Sequence, residues 1–370
     1  MSSFSSLSTE AIMPWDAIIC TSESVLNTLK KIVDARDEFL SFTYDKKVNL
    51  SPKFPVIPLG INSEEFNFTD DFMKNSRLKL DISENDIVVV FVGRLSFHAK
   101  AHNVPMYMAL EECAKNLSNN SKIHLIQTGW FANDFIENTF KSEAKKICPS
   151  VNCIFLDGRK QDNKMLSLAS ADIFMSLSDN IQETFGLTPL EGMAAGLPVI
   201  VSDWDGYRST VRNNLDGYTI KTYSLPSGYG KDLAFDYMIG NTTYDRYIGN
   251  AVQKVAVDVR ECIDKLEILI KDRSKREEMG KNGKKRAINT FSWGKILKEY
   301  ENLYQELNNI RLTEYKNYRE FCIPRLPSDK PDPFHIFDDY PTEILSNELN
   351  FQLSDKSRSL SIDDLLILDS

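Results

Sequence analysis

The chain has 370 residues, of which 42% are hydrophobic and 26% are charged. This composition is typical of a folded globular protein with room for two or three domains. The net charge is −9, and the segment from Leu326 to Ser370 holds ten acidic and three basic residues. The rest of the chain is nearly neutral, which argues against a nucleic-acid binder, because such a protein would present a strongly basic surface.

The cysteines and histidines do not form a pattern that predicts a metal site. Six cysteines show no paired ligand spacing, and His98 and His102 lack a third ligand nearby. We expect reduced thiols, with Cys148 at a helix end and Cys153 at a strand start. The N-terminal sequence has no signal-peptide pattern, and the longest apolar runs are too short to span a bilayer. These features predict a cytoplasmic protein.

Apolar runs alternate with helical patterns along most of the chain, which is typical of βαβ units and a parallel sheet. Continuous Val, Ile and Phe residues at positions 87–92 indicate a strand that is buried on both faces. The predicted fold class is α/β, with a Rossmann-like doubly wound sheet and C-terminal helices. The predicted strands are Ala17–Cys20, Ile87–Val92, Ile123–Gln127, Asn152–Leu156, Ile173–Leu177, Val199–Ser202 and Tyr218–Ile220. The predicted helices are Val104–Asn116, Asn133–Lys146, Asn163–Ser170, Leu187–Ala195, Val255–Asp272, Arg273–Thr290 and Trp293–Leu312.

Small or polar residues follow most of the predicted strands. In an open parallel sheet the ligand binds at the carboxyl ends of the strands, so these residues should line one edge together. They are Gly93, Gly129, Asp157, Gly158, Ser178, Ser202 and Asp203.

The most informative stretch lies between Glu183 and Ile200. Glu183 and Glu191 flank a Phe-Gly-Leu sequence, and a helix that begins between them would place the carboxylates about two turns apart. Gly186 would let the backbone approach a ligand, and the helix start after it would offer free N–H groups to an anion. Two such glutamates alone are also typical of an ordinary strand–turn–helix. An anion such as a diphosphate would fit at the helix start, and a carboxylate on either side could accept hydrogen bonds from sugar hydroxyls. The local chemistry therefore predicts a nucleotide-sugar site.

A second candidate segment follows the strand at 87–92. Arg94 lies directly after Gly93, and Lys100 follows six residues later, near a predicted helix start. Two fixed cations can neutralise a leaving diphosphate, and Arg can do so through two hydrogen bonds. A surface salt bridge is the alternative explanation for both side chains.

The stretch 183–200 resembles the signature of glycosyltransferase family 4, which consists of retaining enzymes with the two-domain GT-B architecture. The Gly-Arg-Leu sequence with Lys100 is similar to the phosphate loop of that family, although the interval between Arg94 and Lys100 is one residue longer. Residues 56–62 resemble the segment that crosses from the first domain to the second. The resemblance covers about Pro14 to Leu312.

The resemblance implies a role for each matching residue. Glu191 would bind the ribose hydroxyls of a nucleoside-diphosphate sugar, and Glu183 would contact the donor sugar near the reacting centre. Arg94 and Lys100 would stabilise the nucleoside-diphosphate leaving group.

Further contacts to the donor are implied by the same motifs. By this resemblance Gly93 would belong to the phosphate loop, and Arg159 would belong to a loop that meets the nucleobase. The family needs no bound metal, so the donor would be a co-substrate and no cofactor is expected. The acceptor would be a glycan, a lipid-linked molecule or a small molecule. Backbone N–H groups for the sugar and phosphate would come from Phe185, Gly186, Leu187 and Thr188.

The first domain of the resembled architecture is short in this chain. About fifty residues precede Pro58, whereas a domain of this kind takes roughly 150 residues. The acceptor loop and the histidine of that domain have no counterpart. Three interpretations stay open: a fragment of an ordinary enzyme, half of a split transferase whose partner chain supplies the acceptor domain, or a donor-binding subunit without turnover.

These features predict four parts of the chain. Residues 1–57 would be a remnant of the N-terminal domain, and residues 58–291 would form the nucleotide-sugar-binding domain. That domain would contain an insertion at about 222–255, near the donor edge. Residues 292–325 would form a crossover helix, and the acidic, Pro-rich residues 326–370 would be largely disordered.

Overall fold

A computed structural model describes residues 12–45, 52–117, 121–319 and 332–349. The chain divides into two compact units, Met1–Tyr315 and Lys316–Ser370. The first unit contains a six-stranded parallel sheet with the order β3-β2-β1-β4-β5-β6. These strands are β1 (Ile87–Val92), β2 (Ile123–Gly129), β3 (Asn152–Asp157), β4 (Ile173–Ser176), β5 (Val199–Ser202) and β6 (Gly217–Ile220).

Helices connect the strands and cover both faces of the sheet, which confirms the predicted α/β class. The strand predictions are confirmed to within two residues at each end, apart from the first. The helices of this unit are α1 (Glu23–Tyr44), α2 (Asp70–Lys79), α3 (Asn103–Lys115), α4 (Asp134–Ile147), α5 (Gln161–Ser170), α6 (Leu187–Ala194), α7 (Tyr207–Thr210), α8 (Lys231–Met238), α9 (Tyr244–Val252), α10 (Val259–Lys271), α11 (Arg273–Phe291) and most of α12 (Trp293–Tyr318).

The side chains of β1 divide the core into two layers. Val89 and Phe91 pack with residues of α3, α4 and α10, whereas Val88, Val90 and Val92 pack with residues of α6 and α11. Every residue of β1 is buried, because a central strand with helices on both faces has no solvent-exposed side.

The strand order reverses between β1 and β4. The chain moves outward from β1 through β2 to β3, and then returns to pair β4 with the other side of β1. The connections after β1 and after β4 therefore leave the sheet in opposite directions, which opens a crevice at its carboxyl edge.

The described residues before α1 form no regular strand, so the predicted strand Ala17–Cys20 is wrong. Only its two end residues make isolated parallel bridges, Ala17 with Lys53 and Cys20 with Val56. Cys20 packs with α1 in a small separate core, and Ile57 packs against Ile296 and Leu303 of α12. The predicted domain boundaries stay predictions.

The segment 222–255 folds into regular structure of its own. Strand β7 (Thr222–Ser224) pairs antiparallel with β8 (Val255–Val257), and α8 and α9 lie between them in the sequence. The predicted helix from Val255 is therefore wrong at its start. Asp258 caps α10 by accepting a hydrogen bond from Glu261 N at 3.0 Å, and this N-cap moves the helix start past the Val-Ala-Val run.

The second unit contributes little regular structure to the described part of the chain. A short helix, α13 (Pro333–Ile336), is capped by Asp332, whose side chain accepts from Phe334 N. The tail predicted to be largely disordered, residues 326–370, lies outside the described residues at 326–331 and 350–370, and this prediction stays a prediction. No helix in the described ranges is long and apolar enough to cross a membrane.

Helix α11 packs closely on the turn after α6, and this contact generates a test of the fold. A Cβ atom on Gly280 would lie 2.0 Å from the carbonyl oxygen of Gly196, whereas a Cβ on Gly294 of α12 would meet nothing within 4 Å. Alanine is preferred to glycine inside a helix by about 1 kcal/mol. We predict that Gly280→Ala lowers the free energy of unfolding by about 1–3 kcal/mol, because a backbone atom must move.

Urea unfolding followed by circular dichroism measures this difference. Gly294→Ala is the matched control and should leave the midpoint unchanged or raise it. Equal midpoints for the two variants would contradict the close packing of α11 on the turn after α6.

Candidate functional site

A cleft of about 190 Å³ lies at the carboxyl edge, where the strand order reverses. Its walls come from the loop after β1 and the loop after β4, and of the seven small or polar residues predicted for this edge, Gly93 is the one in the lining. The lining residues are Gly93, Arg94, Ala99, Lys100, Asn180, Gln182 and Glu183.

Glu183 and Lys100 form an ion pair across this cleft. The Nζ atom of Lys100 hydrogen-bonds to Oε2 of Glu183, and both side chains are mostly buried. The hydroxyl of Tyr207 also donates to Oε2, at 3.3 Å. Burial and the charge of Glu183 raise the pKa of Tyr207 well above its ordinary value, so Tyr207 stays a neutral donor. Two donors therefore fix the carboxylate.

Arg94 stands beside this pair with its side chain exposed to solvent. Its Nη2 atom donates to the carbonyl oxygen of Ala99 at 3.2 Å, within the same loop. A Cβ atom on Gly93 would lie 3.3 Å from Cε of Lys100, so the glycine leaves room for the lysine to cross the cleft. The structure thus brings Gly93, Arg94, Lys100 and Glu183 together.

The turn into α6 is left-handed at Gly186, where φ is 95°. A Cβ atom there would lie 2.5 Å from the ring of Tyr207, so glycine is required for both conformation and space. Phe185 packs against Phe291 in the core, with ring centroids 6.0 Å apart, and only its backbone can serve a ligand. Leu187 is partly exposed. In the described structure no side chain caps the first turn of α6.

Two oxygen atoms on one face of α6 are buried with no hydrogen-bond partner among the described residues. They are Oγ1 of Thr188 and Oε2 of Glu191, which are three residues apart and therefore neighbours on the helix surface. The other oxygen of Glu191, Oε1, accepts from Lys164 Nζ at 2.9 Å. Burial raises the pKa of Glu191, and the charge of Lys164 opposes that shift. Buried polar atoms without partners are uncommon and require an explanation.

Arg159 lies in the loop after β3 and is paired with its neighbour. Its Nε and Nη2 atoms donate to the two carboxylate oxygens of Asp157, at 2.9 and 3.0 Å. These hydrogen bonds lower the pKa of Asp157 to about 2. Because Arg159 is exposed and is absent from the cleft lining, its role in binding a nucleobase stays a prediction.

The N-terminal segment contacts the same loops. The hydroxyl of Ser22 donates to the carbonyl oxygen of Thr184 at 2.7 Å, and the hydroxyl of Ser24 donates to that of Asp205 at 2.9 Å. Asp205 adopts a left-handed conformation with φ 43°. Burial and the nearby charge of Glu183 raise its pKa to about 7. The residues before β1 therefore contact the backbone just before Gly186 and the backbone of the loop after β5.

Sequence reasoning missed several residues that support this site. Tyr207 and Lys164 hold the two glutamates, and Asn180 links three loops: its side chain donates to His98 O at 2.8 Å, and its carbonyl accepts from Trp204. Asp205 and Gly206 are polar and small residues that follow β5. The rule that such residues line the carboxyl edge could therefore have drawn attention to Tyr207, the next residue. Lys164 offered no such signal.

In the parts of the chain that the structure describes, no group of three or more His, Cys, Asp or Glu side chains could hold a metal ion. The expectation that the reaction needs no metal stays a prediction.

Cys148 ends α4 and Cys153 lies within β3, and their Sγ atoms are 3.7 Å apart. Their predicted positions are confirmed.

The amino-acid sequence is similar to those of known glycosyltransferases. Residues 72–228 match the sequence model of the family described as glycosyl transferases group 1. The chain is 26% identical over 164 residues to the putative glycosyltransferase EpsD of Bacillus subtilis, which covers 44% of this chain and 40% of that protein. It is 28% identical over 188 residues to the alpha-monoglucosyldiacylglycerol synthase of Streptococcus pneumoniae, covering 50% and 37% of the two chains.

The crystal structure of Anabaena Alr3699/HepE in complex with UDP-glucose resembles this fold. Its TM-score is 0.52 at 14% sequence identity, and the match covers 80% of this chain and 64% of that one. The structural match shows the GT-B fold, and the sequence matches are to proteins described as glycosyltransferases. The chain spans about half the length, or less, of the curated relatives it matches.

Asp179 provides a test of the electrostatics beside the cleft. Its Oδ1 atom accepts from His102 N at 3.3 Å, and burial raises its pKa to about 7. The folded protein therefore retains a proton that the unfolded chain releases, so stability falls as the pH rises from about 4 to 7 and is level above that range. We predict that Asp179→Asn is more stable than the parent above pH 7, by at most about 4 kcal/mol.

The measurement is thermal unfolding of the parent and the variant from pH 4 to pH 8.5. The two curves should converge at the acidic end, where the carboxyl is protonated in both states. Asp162→Asn, at an exposed position on α5, is the control and should show no such divergence. A constant offset at every pH would rule out ionisation of Asp179 as the cause.

Proposed function

We propose that this chain belongs to a retaining glycosyltransferase that transfers a sugar from a nucleoside-diphosphate sugar to an acceptor. The observation that supports it best is the pair of unpartnered buried oxygens on α6, Thr188 Oγ1 and Glu191 Oε2. Both residues lie on the helix that begins after Gly186, and the loop before that helix supplies Glu183 to the cleft that Lys100 and Arg94 line. A nucleotide sugar requires acceptors for its hydroxyls and donors for its phosphates, and the helix and the cleft would supply them.

The diphosphate would bind at the start of α6. The first N–H groups of a helix lack intrahelical partners and carry a partial positive charge. The backbone N–H groups of Phe185, Gly186, Leu187 and Thr188 would donate to the phosphates and to the sugar. Lys100 and Arg94 would neutralise charge as the nucleoside diphosphate leaves, an interaction that grows stronger as the transition state forms.

The ribose would lie against Glu191. A carboxylate is a strong acceptor, and Lys164 occupies only one of its oxygens. Position 191 lies four residues into α6, or roughly 6 Å along the helix axis from its first residue, a distance comparable to the span from a diphosphate to a ribose. The charge of Lys164 opposes the rise in pKa that burial of Glu191 causes.

Glu183 would contact the donor sugar near the reacting carbon. It is the cleft carboxylate that Tyr207 and Lys100 fix in place, so binding of the donor would redirect Lys100 from Glu183 to the phosphate. Retention of configuration rests on the resemblance of the 183–200 motif to glycosyltransferase family 4. The solved structure that resembles this fold is a complex with UDP-glucose, which supports a nucleoside-diphosphate sugar as the donor.

Calorimetry with nucleoside diphosphates tests this assignment. A panel of UDP, GDP, ADP, CDP and dTDP would first identify the base, and the preferred ligand would then be titrated into Glu191→Gln. A hydrogen bond to a charged group contributes about 1.5–3 kcal/mol, so the affinity should fall about 10- to 100-fold. Glu112→Gln, an exposed position on α3, is the matched control. Unchanged affinity of Glu191→Gln would refute the ribose site.

Turnover separates an enzyme from a subunit that only binds the donor. Release of nucleoside diphosphate from the preferred sugar donor would be followed with water or added acceptors. Lys100→Ala should reduce the rate far more than it weakens donor binding, because the lysine acts on developing charge. Tight binding with no release under any condition would support the donor-binding subunit instead.

A further inference from the structure

Two segments that depart from the family pattern meet beside the candidate site. One is the loop 96–99, which is one residue longer than the resemblance predicts, and the other is the segment 222–255 with α9. The ring Nε2 atom of His98 lies 3.0 Å from Oδ2 of Asp245 on α9. A Cβ atom on Gly249 would lie 3.3 Å from Cβ of His98.

The contacts come from one face of α9. Asp245 and Gly249 are four residues apart and therefore lie on the same side of the helix. Ile248 and Gly249 are both buried, and the absence of a side chain at Gly249 lets the helix approach the loop closely. Thr243 caps α9, and stacking of Tyr237 on Tyr247, with centroids 5.2 Å apart, joins α8 to α9. The helix thus presents a fixed surface to His98.

The other side of the same loop is bound to the loop after β4. The side chain of Asn180 donates to His98 O at 2.8 Å, and the hydroxyl of Ser178 donates to Lys100 O at 2.8 Å. Within the loop, Ser96 Oγ lies 3.3 Å from Nδ1 of His98. Because a carboxylate only accepts hydrogen bonds, Nε2 of His98 donates to Asp245. The chain between Arg94 and Lys100 is therefore held from both sides.

We propose that His98 and Asp245 are positioning residues through which the segment 222–255 orients Lys100 and Arg94 toward the donor diphosphate. His98 precedes Lys100 by two residues, and the guanidinium of Arg94 is bound to the carbonyl of Ala99, the residue between them. A shift of His98 would therefore move both cations. This inference rests on the proposed function, because it assigns the cations to a diphosphate.

The effect concerns geometry rather than stability. The side chain of Asp245 is 69% exposed, and exposed ion pairs contribute little to folding. Displacement of a charge-stabilising group, however, weakens ligand and transition-state contacts strongly. Loss of the contact should thus lower phosphate affinity while the melting temperature changes little.

The test compares two ligands on the full chain by titration: the preferred nucleoside diphosphate, and the corresponding nucleoside, which lacks phosphates. The dissociation constant of the nucleoside divided by that of the nucleoside diphosphate reports the phosphate contacts alone, and this ratio falls when phosphate binding weakens. His98→Ala and Asp245→Ala should each reduce this ratio about tenfold and leave nucleoside binding unchanged. The double variant should lose no more than either single variant, because both remove the same contact.

Two further variants serve as controls. His98→Gln retains a donor near the position of Nε2 and should restore most of the ratio. Asp232→Ala removes an equal charge from the exposed surface of α8 and should have no effect. An unchanged ratio in His98→Ala and Asp245→Ala would overturn the positioning role, as would equal losses for nucleoside and diphosphate.

The same titrations separate this inference from the proposed function. If Lys100→Ala and Glu191→Gln weaken diphosphate binding while Asp245→Ala does not, the donor site stands and the positioning role fails. If the parent chain binds none of the nucleoside diphosphates, the donor site fails and the positioning role fails with it.

Discussion

The reversal of strand order between β1 and β4 is the constraint on which the candidate site depends. The two strands pair with one another, and the connections that follow them leave in opposite directions. This arrangement opens a crevice at the carboxyl edge, which side chains of both loops line. The Lys100–Glu183 ion pair spans it. Residues 83 positions apart in the sequence thus become neighbours because of the sheet topology, and neither loop could form the cleft alone.

The two glutamates of this crevice differ in their hydrogen-bond partners. Glu183 and Glu191 are both carboxylates at the carboxyl edge, but their surroundings differ: Glu183 accepts from Lys100 and Tyr207, while Glu191 has one oxygen paired and one without a described partner. A buried carboxylate is costly unless it is paired. A ligand hydroxyl that donates to Oε2 of Glu191 would offset this cost, and the ribose of the proposed donor carries such hydroxyls.

Much of the fold could be predicted because its signals are local. The continuous β-branched run of β1 and the alternation of strands with helices need no knowledge of distant residues, and β1 and β5 were predicted with correct ends. The predictions failed where local patterns compete. Ala17–Cys20 has the composition of a strand but bridges its neighbour only at its ends, and Val255–Val257 joins β7 rather than the following helix because Asp258 supplies a cap.

The backbone turn of the site could be predicted from the sequence, whereas the side chains that hold other residues in place could not. Gly186 could be singled out as a glycine just before a predicted helix start, and the structure adds a left-handed turn and a close Tyr207 ring that leave no room for a side chain. Lys164 and Asp245 gave no comparable signal: each is a charged residue on a helix surface, and it acquires a role only because the fold brings it to Glu191 or His98. Motifs therefore reveal residues whose constraint is their own conformation. Residues that hold others in place are defined by tertiary contacts, and identifying them required the structure.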